Sequence, residues 1–214
     1  MSGAKKIVVL DYGSGNVRSV AHALERVGAQ AILSSDEDQV MLADGLVVPG
    51  VGAFSAVMEA LRAGRFAQMI ERRLAGGRAV LGICVGLQVM FESGDEHGVE
   101  VEGLGQWPGA VTRLEAPRLP HMGWSPVHAA SGSALLAGLD AQRFYFVHSY
   151  GCLTDPSQHL GDGMRFRKPL VSWAHHGSDF VAAVENGPLC ATQFHPEKSG
   201  ESGAALFKNW LSIL

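Results

Sequence analysis

The chain lacks the cysteines for a disulfide framework. Cys84, Cys152 and Cys190 are its only three, and no two form a Cys-x-x-Cys pair. That usage fits a reducing compartment, with Cys152 and Cys190 read as small buried apolar residues. Long apolar runs are missing too. The first, residues 7–10, is too short for the hydrophobic part of a signal peptide. The next, residues 79–90, is broken by glycines and Gln88 and falls short of a bilayer span. No membrane partner is expected, and the expected location is cytoplasmic. There is no excess of positive charge: 17 Lys and Arg face 21 Asp and Glu, a formal net charge of −4. Nucleic-acid binders normally present a basic face, so no nucleic-acid partner is expected. The histidines show no metal-ligand spacing, and no P-loop occurs. Gly13-Ser14-Gly15 falls short of a dinucleotide loop, because Arg18 stands where its last glycine belongs. No metal and no cofactor are expected.

What remains is enough for a folded domain. The 214 residues are 47% hydrophobic and 18% charged, which predicts one globular domain over 1–214. Short apolar runs at 7–11, 31–33, 45–48 and 79–83 read as strands. The segments 16–27, 54–61, 66–74 and 85–91 read as helices, the first capped by Asn16. This alternation predicts an α/β fold with a mostly parallel sheet flanked by helices. Runs at 144–147, 171–173 and 180–184 predict antiparallel strands added to the sheet in the C-terminal half, before a last helix at 203–213. Residues 95–109 and 116–123 read as loops.

Gly82-Ile83-Cys84-Val85-Gly86 has the form of a nucleophile elbow, with a glycine on each side of a strand-to-helix turn. A helix starting there favours the thiolate. Far downstream, Gln193-Phe194-His195-Pro196-Glu197 supplies a base and a carboxylate two residues apart, on one side of an extended segment. The competing reading is a buried core cysteine and an unrelated surface His-Pro-Glu. Pro49-Gly50-Val51-Gly52-Ala53 follows a buried strand. It is either an ordinary turn or a source of oxyanion donors, with the amides of Val51 or Gly52 joining that of Val85. His148, Ser149 and Tyr150 close an apolar strand and, taken alone, read as structural.

Taken together, these segments resemble the triad (class I) glutamine amidotransferases. Within them, the resemblance is to subunits that feed ammonia to a cyclase in histidine biosynthesis. It also rests on Leu119-Pro120-His121-Met122-Gly123-Trp124 and on Tyr145-Phe146-Val147-His148-Ser149-Tyr150, and it spans essentially the whole chain. It implies the class I amidotransferase fold as one domain over 1–214. It implies that Cys84 attacks the side-chain amide of glutamine, that His195 moves the protons and that Glu197 orients His195. Gln88, Ser149 and Tyr150 would hold the amino-acid end of the substrate, with Glu96 facing its ammonium, and Val51 and Gly52 match the oxyanion turn. The partner implied is a (β/α)8-barrel cyclase subunit in a heterodimer, with Pro120, Met122, Trp124 and Lys198 near the interface. For Met122 and Trp124, core packing is the alternative. A free-standing or other-pathway glutaminase and a non-catalytic partner-binding scaffold are the alternatives for the whole chain.

Overall fold

The computed structural model describes residues 3–13, 16–158 and 168–214. A seven-stranded sheet forms its centre. Five strands run parallel: β1 (Lys6–Leu10), β2 (Gln30–Ser34), β3 (Gly45–Gly50), β4 (Ala79–Cys84) and β13 (Leu189–Thr192). β12 (Ser178–Asn186) and β11 (Leu170–His176) add antiparallel, giving the order β11-β12-β13-β4-β3-β1-β2. β1, β3 and β4 are almost wholly buried, which is why they read as unbroken apolar runs. β2 lies at the edge, and its Ile32 and Leu33 stay partly exposed.

The helices are α1 (Val17–Arg26), α2 (Glu37–Leu42), α3 (Phe54–Ala63), α4 (Phe66–Ala75), α5 (Val85–Gln88) and α6 (Gly200–Ser212). α1 packs with α6, and α4 packs with α2 and α3. α1 buries Val20, Ala21, Ala23 and Leu24, the apolar stripe of a helix lying on a core. Arg73 of α4 is completely buried, and its guanidinium donates to the carbonyls of Val40, Ala43, Asp44 and Ala79. It ties the end of α2 to the starts of β3 and β4.

Two smaller sheets carry the rest. β5 (Phe91–Glu96), β6 (Val99–Glu102), β7 (Trp107–Arg113) and β10 (Tyr150–Cys152) form one, in the order β10-β7-β5-β6. β8 (His121–Pro126) and β9 (Arg143–His148) form a two-stranded antiparallel ribbon.

Several expectations need correction. β9, expected to join the main sheet, pairs among the described residues only with β8. The Asn16 side chain makes no capping hydrogen bond. β3 does not stop before Pro49 but continues through Gly50. β1 pairs with β3 only along Gly45–Val47, so Pro49 has β4 on one side and no ladder partner on the other. A missing N–H costs least in such a place. The helix expected over 85–91 is a single turn, and Phe91 already belongs to β5. Val89, Met90 and Phe91 are all buried, so this run has no polar face, and its carbonyls accept from the amides of residues 104–107 instead of continuing the helix. The expected loop at 95–109 contains a hairpin. His97 and Gly98 both have positive φ, the two-residue turn that suits the twist of paired strands. The loop expected at 116–123 gives way to β8 at His121.

Candidate active site

The parallel strands bring their carboxyl ends to one rim. β1 leads into Asp11, β3 ends at Gly50 and β4 ends at Cys84. Gly50 and Cys84 are register partners, so the turn through Val51 and Gly52 begins beside the cysteine. Ser14 and Gly15 of the first turn lie outside the described residues.

Cys84 has φ 57° and ψ −111°, a strained setting that persists only where the surroundings impose it. Here the surroundings are glycines. A Cβ on Gly86 would lie 1.9 Å from Val48 O, one on Gly82 2.4 Å from Gly86 O, and one on Gly50 2.7 Å from Gly86 N. Backbone packs directly on backbone at all three contacts, and this close fit holds the elbow against β3. α5 is a single turn, so the dipole behind Cys84 is weaker than a long helix would supply.

His195 follows β13 across Gln193 and Phe194. Its N–H donates to Tyr145 O of β9 at 2.9 Å, and its carbonyl accepts from Ser199 Oγ at 2.6 Å. Tyr145 N donates to the same hydroxyl at 3.0 Å, closing a ring of bonds that fixes the imidazole's backbone. Nδ1 lies 2.9 Å from Glu197 Oε1, and both side chains are almost fully buried. The carboxylate does not arrive by strand alternation. The 3₁₀ turn Pro196–Lys198 curls it back under the ring. Nε2 has no hydrogen-bond partner among the described residues and interacts with the Cys84 sulfur. Burial alone would lower the His195 pKa; Cys84 and Glu197 outweigh it and raise it to about 9. A proton relay between sulfur and carboxylate is the chemistry this supports.

Val51, Gly52, Val85, Gln88, Glu96, Ser149 and Tyr150 line a cavity of about 220 Å³ together with Cys84 and His195. Val147, His148 and Lys198 complete its wall, while Glu197 lies behind His195 and outside it. Gln88 is buried, and its Nε2 is committed to Tyr150 O at 2.8 Å and Gln193 Oε1 at 3.0 Å.

Pro120, Met122 and Trp124 lie on or beside β8 and stay outside the cavity. Core packing is excluded for two of them, with Met122 63% and Trp124 45% exposed. The Trp124 ring meets Tyr145 edge-on, and Lys198 Nζ sits 5.9 Å from the centre of the Tyr145 ring. An apolar surface thus reaches the rim of the cavity.

Two residues without an expected role belong here. Gln193 Nε2 lies 3.7 Å from Cys84 Sγ. His148 is buried in the cavity wall, and burial drives its pKa down to about 3. No local signal marks Gln193; its place beside the sulfur follows from the register of Thr192 with Ile83. Among the described residues no three His, Cys, Asp or Glu side chains gather as a metal set, and no helix is long and apolar enough to cross a membrane. His159 lies outside the described residues.

Residues 8–213 match the family model described as glutamine amidotransferase class-I. A chain from Corynebacterium diphtheriae named imidazole glycerol phosphate synthase subunit HisH is 61% identical, over 98% of this chain and 100% of its own length. A chain of the same name from Thermobifida fusca is 58% identical over 98% and 99%. Among solved structures, one titled "Structure of PurLQS from Thermotoga maritima" superposes with a TM-score of 0.71 at 20% identity, covering 98% of this chain and 99% of that one.

Proposed function

The chain belongs to the class I glutamine amidotransferase family, and on that premise we propose that it is the glutamine-hydrolysing subunit of an imidazole glycerol phosphate synthase, acting in histidine biosynthesis. The observation that carries the mechanism is the cavity in which Cys84, His195 and the buried Glu197 meet.

Cys84 gives its proton to His195 and attacks the amide carbon of glutamine. The negative charge that develops on oxygen is met by backbone donors at Val85 and at the Val51-Gly52 turn. One such donor is commonly worth ~3 kcal/mol of barrier. His195, held protonated by sulfur and Glu197, hands its proton to the amide nitrogen as the C–N bond breaks, and ammonia leaves the thioester. Acylation then removes the anionic sulfur, and with it one of the interactions raising the imidazole's pKa. The same ring is left as the base that activates water to hydrolyse the thioester. Glu197 holds Nδ1–H throughout, so Nε2 always faces the reacting atoms.

The cavity is smaller than a drug-sized site, as a single amino acid requires. Ser149, Tyr150 and the free Oε1 of Gln88 receive the amino-acid end of the substrate, and Glu96 faces its ammonium. Pro120, Met122, Trp124 and Lys198 form the docking surface for a (β/α)8-barrel cyclase in a cytoplasmic heterodimer, which takes up the ammonia. Gly52, at φ +93°, carries no side chain to oppose a peptide rotation by which the docked partner would aim the oxyanion amide.

The test is glutamate release from glutamine by the purified chain, alone and with a cyclase subunit and its nucleotide ligand. Low activity alone and a large rise in the mixture are expected, with both abolished by Cys84→Ala. Full activity alone would favour a free-standing glutaminase. Silence in both, with the complex intact, would leave only a scaffold.

A further inference from the structure

Gln193 takes no part in the steps above, yet it touches the nucleophile. Its Nε2 lies 3.7 Å from Cys84 Sγ, and its Oε1 accepts from Gln88 Nε2 at 3.0 Å. Both glutamines are buried. The sheet register explains the contact. Thr192 at the end of β13 pairs with Ile83 of β4, so the next residues, Gln193 and the strand-ending Cys84, stand side by side at the rim of the sheet.

The direction of these bonds is imposed from a distance. The carbonyl of Tyr150 can only accept, and it receives Gln88 Nε2 at 2.8 Å and His148 Nδ1 at 2.9 Å. Turning the Gln88 amide over would set oxygen against oxygen. Gln88 therefore gives its second N–H to Gln193 Oε1, and Gln193 is left with its NH₂ end toward the sulfur. On the other side, His148 must carry its proton on Nδ1. As a neutral ring it then accepts at Nε2 from His121 Nδ1 at 3.0 Å, and His121 Nε2 accepts from Ser125 Oγ at 2.8 Å. Burial lowers the pKa of His121 to about 4 and of His148 to about 3, which keeps both rings neutral, and their hydrogen-bond partners hold each in one tautomer. His121 is further fixed by stacking on His176, whose Nε2 donates to Arg118 O. One backbone carbonyl thus sets the polarity of a chain of bonds running from β8 to the sulfur.

We propose that Gln193 is a positioning residue for Cys84: its amide N–H holds and aims the sulfur as thiolate, kept in that orientation by Gln88, the Tyr150 carbonyl and the His148–His121 pair. This rests on the reading of Cys84 as nucleophile. A donor bonds an anionic sulfur more strongly than a neutral one, so it favours the reactive form.

The test is the pH dependence of Cys84 alkylation by iodoacetamide in the full chain, followed by mass so that the buried Cys152 and Cys190 do not interfere. Gln193→Met removes the donor at similar length. The titratable groups lining the cavity with the sulfur (His195, His148, Glu96, Lys198, Tyr150) stay in place. The midpoint of the alkylation profile should rise by about one unit, a tenfold loss of thiolate below it. In the complex with the cyclase, kcat should fall about tenfold with KM changed less than about threefold. Gln193→Glu keeps the acceptor for Gln88 but turns a carboxylate to the sulfur, so its midpoint should rise further. An unchanged midpoint in a Gln193→Met chain that melts normally overturns the proposal. If that chain does not fold, an unchanged or lowered midpoint in Gln193→Glu does so. Alkylation needs no glutamine turnover, so a failed glutaminase reading would show separately, as absent glutamate release with the alkylation shifts intact.

Discussion

Adding one methyl group at Gly86 tests how tightly the elbow is built. A Cβ there would stand 1.9 Å from Val48 O, in a strand whose residue 48 is also the register partner of Gly82. Neither side can yield alone: Val48 is held in the sheet, and Gly86 is locked to the strained Cys84. The two backbones must separate by more than about 1 Å to regain van der Waals contact. Overpacking costs roughly 1–3 kcal/mol, and backbone against backbone puts Gly86→Ala at about 3. For a chain of this size that lowers Tm by roughly 6–12 °C. The same displacement moves the nucleophile, and an error of about 1 Å in a reacting group costs on the order of 10²-fold in rate. Gly28→Ala is the control. Gly28 also has positive φ (+96°) but open space around it, so it should lose only about 1 kcal/mol and no activity. Thermal melts by circular dichroism and glutamate release in the cyclase complex read both effects. A Gly86→Ala chain that melts within about 2 °C of the parent and keeps its activity would refute the packing argument.

Glu197→Gln keeps an acceptor for the His195 ring but removes the charge; kcat should fall about 10²–10⁴-fold with little change in KM, and equal turnover would remove Glu197 from the mechanism. Stability should peak near pH 6.5. The folded-state pKa of His195 is raised to about 9, so its contribution is complete below the ordinary value near 6.5 and is lost as pH rises toward 9. His121 and His148 are lowered to about 4 and about 3, so their contributions are complete above that ordinary value and are lost as pH falls toward 4 and 3. Urea midpoints measured across pH should fall on both sides, and a profile flat between pH 4 and 9 would contradict both assignments. Arg73→Met strands four backbone carbonyls and should cost about 3 kcal/mol or more, read as a lower urea midpoint at unchanged slope. Trp124→Ala should leave the isolated chain within about 0.5 kcal/mol of its stability, while weakening cyclase binding about 30-fold or more if Trp124 anchors the interface.

The elements legible in the sequence are those whose burial is uniform along their length. β1, β3 and β4 read as strands because both faces are covered, and α1 reads as a helix because one stripe alone is buried. Failures cluster where tertiary context decides. The run 85–91 is apolar at every position but Gly86 and Gln88, and helical and extended backbones bury such a run equally well. What ends α5 after one turn is the set of amides presented by residues 103–107, which donate to the carbonyls of residues 89–92 from farther along the chain. The hairpin at His97-Gly98 was missed because histidine is an unusual first residue for a turn that needs positive φ at both positions.

The site shows the same division, and the physical reason is sheet order. The glycines around Cys84 and the His195–Glu197 pair are local patterns, so their chemistry could be read from short segments. That the two segments meet depends on β13 lying beside β4, although more than 100 residues separate Cys84 from Gln193. Strand order leaves no local trace in either segment, and only the ensemble of motifs pointed to it. Gln193 suffered most from this. As a lone residue in a motif it looks like a polar filler before Phe194. Only the register of Thr192 with Ile83 brings its side-chain amide to the sulfur, and only the Tyr150 carbonyl, on yet another sheet, decides which end of that amide faces the nucleophile. The cysteine is thus held by three sheets at once: its strand and elbow belong to the central one, its hydrogen-bond polarity comes from β10, and the ribbon of β8 and β9 closes the network at His121 and His148.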